Sequence, residues 1–138
     1  MARLQKENFD VGKEITALVE KSRGTGGIVT FLGTVRDISK GHEIVKINFE
    51  SYANMAEKEL DRLEADAKEK FDIIDSLVIH RTGEITVGEN IVLIVVTSAH
   101  RSAAFDACEW TIDELKKRIP IWKEEFTSTG KHWVEEHP

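Results

Sequence analysis

A histidine and an arginine, His100-Arg101, stand where an apolar run ending at Thr97-Ser98 gives way to helical spacing. A helix start offers unpaired N–H groups and the positive end of a dipole, so it draws an anion. Arg101 adds a bidentate ligand for phosphate or carboxylate, and His100 a group that moves protons near neutral pH. A purely structural helix start would carry Asp or Glu in its first turn, or use Ser98 or Ser102 as a cap. Both readings stay open on these residues, and two cations at the dipole's unfavourable end favour a site.

Three further cations sit at element ends. Lys116, with Lys117 and Arg118, closes the same helical segment, where positive charge complements the dipole without any functional reason. Lys123 follows the break at Pro120 and adjoins Trp122, an aromatic able to exclude water. A partly desolvated lysine is a stronger clamp, proton donor or nucleophile than an exposed one. Arg36 lies where a strand runs out into a polar loop, and an ion pair with Asp37 or Glu43 is its structural alternative.

Other candidates read as structure. Cys108 falls on an apolar stripe between Phe105 and Ile112, so a packed thiol is expected and no sulfur is placed on it. Gly24-Thr25-Gly26-Gly27 precedes a strand and lacks the Gly-Lys-Ser/Thr ending of a phosphate loop, so it is a turn. His80-Arg81 ends a strand without opening a helix, and the expectation is a hydrogen-bonded surface group. The five histidines, His42, His80, His100, His132 and His137, lack ligand spacing, so neither a metal nor a cofactor is expected.

The elements that must position these residues follow from periodicity. Val11 to Ser22 reads as a short amphipathic helix and Ile28 to Val35 as a strand. Ile44 to Phe49 reads as a second strand, paired with the first as a hairpin across a polar loop. Asn54 and Glu57 read as a capping pair opening a helix that carries Leu60, Leu63, Ala67 and Phe71. Ile73 to His80 and Asn90 to Ser98 form a second hairpin. A helix from about Ser102 to Arg118 ends at Pro120. Trp122 to Phe126 and His132 to Glu135 close the chain as short strands around Ser128-Thr129-Gly130. The order α-ββ-α-ββ-α-ββ is α+β, with helices on a mostly antiparallel or mixed sheet.

Composition bounds what such a site can serve. The 138 residues fit one domain spanning 1–138, with 41% hydrophobic and 32% charged residues. With 19 Lys+Arg against 25 Asp+Glu the net charge is −6. That argues against nonspecific binding along a nucleic-acid backbone, so any anion site is local. The start is polar and the longest apolar run, Ile91 to Val96, is too short to span a bilayer. With one cysteine, a reducing, cytoplasmic setting is expected and no membrane partner.

Five separated segments carry a family resemblance: Gly27-Ile28-Val29-Thr30-Phe31-Leu32-Gly33-Thr34-Val35-Arg36; Ile79-His80-Arg81-Thr82-Gly83-Glu84; Thr97-Ser98-Ala99-His100-Arg101-Ser102; Leu115-Lys116 through Pro120-Ile121-Trp122-Lys123-Glu124; and Trp133-Val134-Glu135. In this order the chain resembles the large, catalytic subunit of molybdopterin synthase. The resemblance implies an α/β-hammerhead-like fold and a sulfurtransferase of molybdenum cofactor biosynthesis that converts cyclic pyranopterin monophosphate into molybdopterin. It also implies a small ubiquitin-like partner that brings the sulfur as a C-terminal Gly-Gly thiocarboxylate. Carried over by position, Arg36, His100 and Arg101 would hold the pterin and its phosphate. Lys116 and Lys123 would meet the thiocarboxylate as catalytic residues, and Thr34, Val35, Glu124 and Glu125 would line the pocket. Thr34 and Glu124 replace residues that are often basic in the family, so a less positive pocket is expected.

Arg101 and Lys116 are fifteen residues apart on one helix, about 22 Å at 1.5 Å per residue. One small pterin spans that poorly, so the expectation is a homodimer with two composite sites, and a heterotetramer with the small partner. Two rival readings stay open from the residues: a non-catalytic docking module for a ubiquitin-like tail, and a phosphate-ester hydrolase.

Overall fold

Leu77-Val78-Ile79 and Val92 to Val96 are apolar at every position, which suits strands covered on both faces. In the computed structural model, which describes residues 1–134, both become central strands of one sheet. That sheet runs β1 (Arg3–Gln5), β5 (Asp75–Arg81), β7 (Asn90–Ser98), β2 (Gly27–Thr34) in spatial order. β1 lies parallel to β5, and the other pairs are antiparallel. One face carries Leu77, Ile79, Leu93 and Val95 against Leu18 of α1 (Val11–Val19). Asp10 caps α1 by accepting from the Lys13 N–H at 3.1 Å. The other face carries Val78, Val92, Ile94 and Val96 into the main core.

That core is closed by two long helices and a second sheet. α2 (Ala53–Lys70) contributes Ala56, Leu60 and Leu63, and α3 (Arg101–Arg118) contributes Ala104, Ala107, Cys108 and Leu115. The second sheet is five-stranded: β3 (Ile38–Ser39), β4 (His42–Ser51), β8 (Ile121–Thr127) and β9 (Gly130–Val134) in order, with β6 (Gly83–Thr86) also on β4. Ile44, Ile47, Phe49, Ile85 and Ile121 face the core from it. No helix among the described residues is long and apolar enough to cross a membrane.

The α+β class and the three helices agree with the sequence reading, and several details differ. The hairpin expected between Ile28–Val35 and Ile44–Phe49 does not form. β2 pairs instead with β7, from Gly27 opposite Ser98 to Thr34 opposite Asn90. β7 is apolar on both sides and needs a strand on each edge, so it takes both β5 and β2. The tight turn at Lys40 (φ 51) and Gly41 (φ 80) closes β3 on β4. Three short strands differ from the sequence reading: β1, three residues long, β3, inside the expected polar loop, and β6, inside the connection between β5 and β7. Helix α2 starts at Ala53 behind Tyr52 with no side-chain cap, so Asn54 and Glu57 lie inside the helix rather than forming the expected capping pair. Phe105 is exposed, because the buried stripe of α3 runs through Ala104, Ala107, Cys108, Thr111 and Leu115. Glu135, the expected end of the last strand, lies outside the described residues.

One acid is buried where α2 meets β5. Glu64 is buried and its Oε2 accepts a hydrogen bond from the Val78 N–H at 2.8 Å. Burial pushes its pKa from 4.5 up to about 7, against the pull of that N–H and of the chain's terminal ammonium. The folded chain therefore binds the proton more tightly than the unfolded chain does. The stabilising contribution is full below about pH 4.5, is lost as pH rises towards 7, and amounts to roughly 3 kcal/mol. Glu64→Gln keeps the acceptor for Val78 and removes the charge. Its melting temperature is expected to exceed that of the wild type at pH 8, with a smaller difference at pH 5. Equal melting temperatures at pH 8 would refute this.

Candidate active site

Strand alternation sends Ile121, Lys123 and Glu125 of β8 to one face and Trp122, Glu124 and Phe126 to the other. The register sets Phe49 opposite Lys123 and Ile47 opposite Glu125 and Ile85. Two charged side chains therefore occupy the apolar, core-facing side of a strand, with Lys123 9% and Glu125 5% exposed. Burying charge there is costly unless something needs it. It is also legible in the pattern Ile121-x-Lys123-x-Glu125, which puts two charges in phase with a core isoleucine.

The space they face is a cavity of about 480 Å³. Thr34 and Arg36 at the end of β2, Ile47 and Phe49 of β4, and Leu115 and Lys116 of α3 enclose it with Lys123 and Glu125. Its volume is that of a small-molecule site, and its walls are mostly apolar with a few convergent charges. Burial holds the Lys123 pKa below the usual lysine range, and the positive charges of Arg36, Lys116 and Lys40 add to that. Glu125 opposes the shift by favouring the ammonium. A lysine so placed gives up its proton more readily than a surface lysine does.

The three basic residues closing α3 part company. Arg118 reaches back to Asp66 at 2.8 Å and to Glu59 at 3.9 Å on α2. Lys117 pairs with Glu114 at 3.6 Å. Only Lys116 of the three lines the cavity. The structural reading of a basic last turn fits two of these residues and leaves Lys116 for the site.

Of the other expected site residues, Val35 is buried in the main core, and Glu124, also buried, lies on the face of β8 turned away from the cavity. There Glu124 stands 4.0 Å from Lys131. Neither is in the cavity wall. Trp122 does not shield Lys123: it is 44% exposed on that same outer face, with its ring 5.0 Å from that of Tyr52. Phe49 and the strand register provide the burial instead.

His100 and Arg101 lie at the opposite end of α3 from Lys116, and both are exposed. His100 takes the N-cap position with no side-chain cap, while the Ser98 hydroxyl donates to the His100 carbonyl. The serine cap considered as the structural alternative is therefore not made. Gly26 seals this corner, because a Cβ there would lie 2.3 Å from the Ala99 carbonyl oxygen. The glycine run is a turn held against α3, with the Gly26 N–H donating to the Ser98 carbonyl at 2.9 Å.

Cys108 is buried, and burial raises its thiol to about 11, as suits a packed cysteine. His80 and Arg81 depart from the surface setting expected of them. Both are buried, and His80 forms part of the cavity wall. Among the described residues there is no group of three or more His, Cys, Asp or Glu side chains placed to hold a metal ion.

Known proteins share both this sequence and this arrangement of elements. The family model described as "MoaE protein" matches residues 4–118. The molybdopterin synthase catalytic subunit of Pyrococcus abyssi is 49% identical over 129 residues, covering 94% of this chain and 86% of that protein. The corresponding subunit of Ralstonia nicotianae is 43% identical over 133 residues, covering 96% and 76%. Among solved structures, molybdopterin synthase from Staphylococcus aureus superposes with a TM-score of 0.90 at 30% identity, covering 96% of each chain. A molybdopterin biosynthesis MoaE protein from Burkholderia ambifaria gives 0.84 at 34% identity, covering 97% and 88%. With the family model matching most of the chain and relatives this similar over nearly all of it, the chain belongs to the MoaE protein family.

Proposed function

We propose that this chain is the catalytic subunit of a molybdopterin synthase, a sulfurtransferase that turns cyclic pyranopterin monophosphate into molybdopterin. Sulfur arrives as the C-terminal thiocarboxylate of a small ubiquitin-like partner, and we place the reaction in the cytoplasm. The observation that carries the reading is the cavity in which Arg36, Lys116, Lys123 and Glu125, far apart in sequence, face one another within apolar walls. Arg36 suits the phosphate, for which a guanidinium offers a planar pair of donors. Lys116 activates the thiocarboxylate or the carbon it attacks. Lys123 stabilises developing negative charge and delivers a proton, a task that its lowered pKa favours. Glu125 keeps enough charge on Lys123 for it to act as a donor. Thr34 completes the wall at the mouth of β2.

His100 and Arg101 belong to the same substrate in this reading, supplied by a second copy of the chain. The length of α3 supports that division, as do the exposed apolar residues Ile28, Phe31 and Leu32 on β2, an edge strand. The assembly is then a homodimer carrying one small partner at each of two sites.

The test is turnover. The purified chain, a Gly-Gly-terminated carrier in thiocarboxylate form and the cyclic monophosphate are incubated together, and the dithiolene product is measured. Product that depends on all three supports the reading. Tight binding of the carrier with no product would make the chain a docking module instead.

A further inference from the structure

We propose that Lys40, at the tip of the β3–β4 hairpin, is a further substrate-binding residue of this site, its ammonium reaching from the rim to the phosphate of the substrate in the cavity. The identity of that anion rests on the sulfur-transfer reading above. The placement rests on the hairpin. β2 ends at Thr34, Arg36 follows in the cavity wall, and Ile38 and Ser39 of β3 continue that wall. The chain then reverses at Lys40-Gly41, because Ser39 is the register partner of His42. Lys40 is therefore the next side chain after this stretch of wall, exposed at the rim rather than set among the lining residues.

The turn itself gives no reason for a lysine. Both of its residues have positive φ, 51° at Lys40 and 80° at Gly41. A two-residue hairpin loop of that kind is best made by Asn-Gly or Asp-Gly, because Asn and Asp tolerate the left-handed region and a long side chain enters it at a cost. Among the described residues Lys40 is the only one besides glycine with positive φ. Such an outlier beside a cavity points to a task for its side chain. Nor do nearby acids occupy the ammonium. Among the described residues Lys40 forms no ion pair within 4.0 Å, although Asp37 and Glu43 are close in sequence.

The charge of Lys40 is felt inside the cavity. Burial is the main reason the Lys123 pKa is lowered, and the cations that add to it are Arg36, Lys116 and Lys40. A bound anion relieves the repulsion among these groups. Arg36 offers the phosphate a planar pair of donors, and Lys40 adds a point charge on a flexible stem from the solvent side. The chain as a whole carries a net charge of −6, so a cation at the mouth also draws a negatively charged substrate towards the cavity.

Lys40→Asn suits the turn and removes the charge, whereas Lys40→Arg keeps the charge. Affinity for the cyclic monophosphate is measured by calorimetry without the carrier, and turnover is measured with it. Lys40→Asn is expected to bind about fivefold more weakly, the effect of one ion contact in water. Its KM for the cyclic monophosphate should rise in parallel, with kcat changing less than about twofold. Lys40→Arg should stay within about twofold of the wild type. Added salt should weaken binding more steeply in the wild type than in Lys40→Asn, which should melt no lower than the wild type. A Lys40→Asn chain that binds as tightly as the wild type overturns the proposal, as does Lys40→Arg binding as weakly as Lys40→Asn. A rise confined to the KM for the carrier also overturns it and places Lys40 at the protein interface. A wild-type chain that binds the cyclic monophosphate but yields no product with the carrier refutes the sulfur-transfer reading instead, and the ratio of affinities still decides the role of Lys40.

Discussion

Replacing Lys123 with alanine is expected to lower turnover by about 10²–10³-fold while leaving the chain folded. Methionine at the same position should raise the melting temperature at neutral pH. Both effects have one origin. Lys123 sits on the core-facing side of β8, opposite Phe49, in surroundings that suit an apolar side chain. Burial is the main reason its pKa is lowered, followed by the neighbouring cations. The folded chain thus holds this proton less tightly than the unfolded chain does. Below its folded pKa the lysine subtracts from stability. The loss is relieved as pH rises through that value towards the ordinary lysine range. A residue that costs stability in its charged form and stands in a cavity is a candidate for function, which the turnover of the variants tests. Arginine should not restore turnover, because a guanidinium supplies charge but does not release its proton. Steady-state turnover and thermal melts of the three variants decide the matter. An alanine variant as active as the wild type would end the catalytic role of Lys123, and a methionine variant that melts lower would end the account of its cost.

Much of the fold could be read from periodicity because its long elements carry strong signals. The spacing of Leu60, Leu63 and Ala67 and the stop at Pro120 marked two helices, and both form near the expected bounds. Pairing was harder. The nearness of two strands in sequence suggested a hairpin, yet β2 leaves its sequence neighbour for β7 across more than fifty residues of intervening chain. Nothing local to Ile28–Val35 announces that choice, which follows from the need of β7 for cover on both edges. β1, β3 and β6 have no counterpart in that reading because two to four residues carry no usable period.

Legibility of the site was uneven for the same kind of reason. Lys123 and Arg36 were found by type and position, and the cavity unites them with Lys116. The family resemblance implies Glu124 and Glu125 together, although adjacent residues on a strand face opposite sides. The alternation from Ile121 separates them: both are buried, and only Glu125 lines the cavity. A strand that ends in a turn predicts a surface setting for His80, which is buried. Its burial depends on Phe49, some thirty residues earlier, and on the second sheet folding over it. A contact of that kind has no signature in the sequence around His80.

Mixing two inactive chains is expected to restore activity. A His100→Ala/Arg101→Ala subunit and a Lys116→Ala/Lys123→Ala subunit each lack half of a composite site. Random exchange in equal proportions would make half of the dimers mixed, each with one intact site of two. Recovery should then approach about a quarter of wild-type turnover. Two features of the chain argue for this. Helix α3 holds Arg101 and Lys116 about 22 Å apart, so one copy cannot bring both to a small pterin. Strand β2 is an edge, and its two ends lie beside the two groups of residues. At one end Gly27 packs against Arg101, where an added Cβ would lie 3.3 Å from the arginine Cα. At the other end Thr34 lines the cavity, with Arg36 just beyond. Eight strand residues span about 25 Å, close to the length along α3 that must be bridged. Antiparallel pairing of β2 with its copy about a two-fold axis would set the Gly27 end of one chain beside the Thr34 end of the other. His100 and Arg101 would then reach the partner's cavity, and Ile28, Phe31 and Leu32 would lie at the seam between the copies. If mixed dimers form, as native mass spectrometry can establish, and no turnover returns, the four residues act within one subunit and the composite site is wrong.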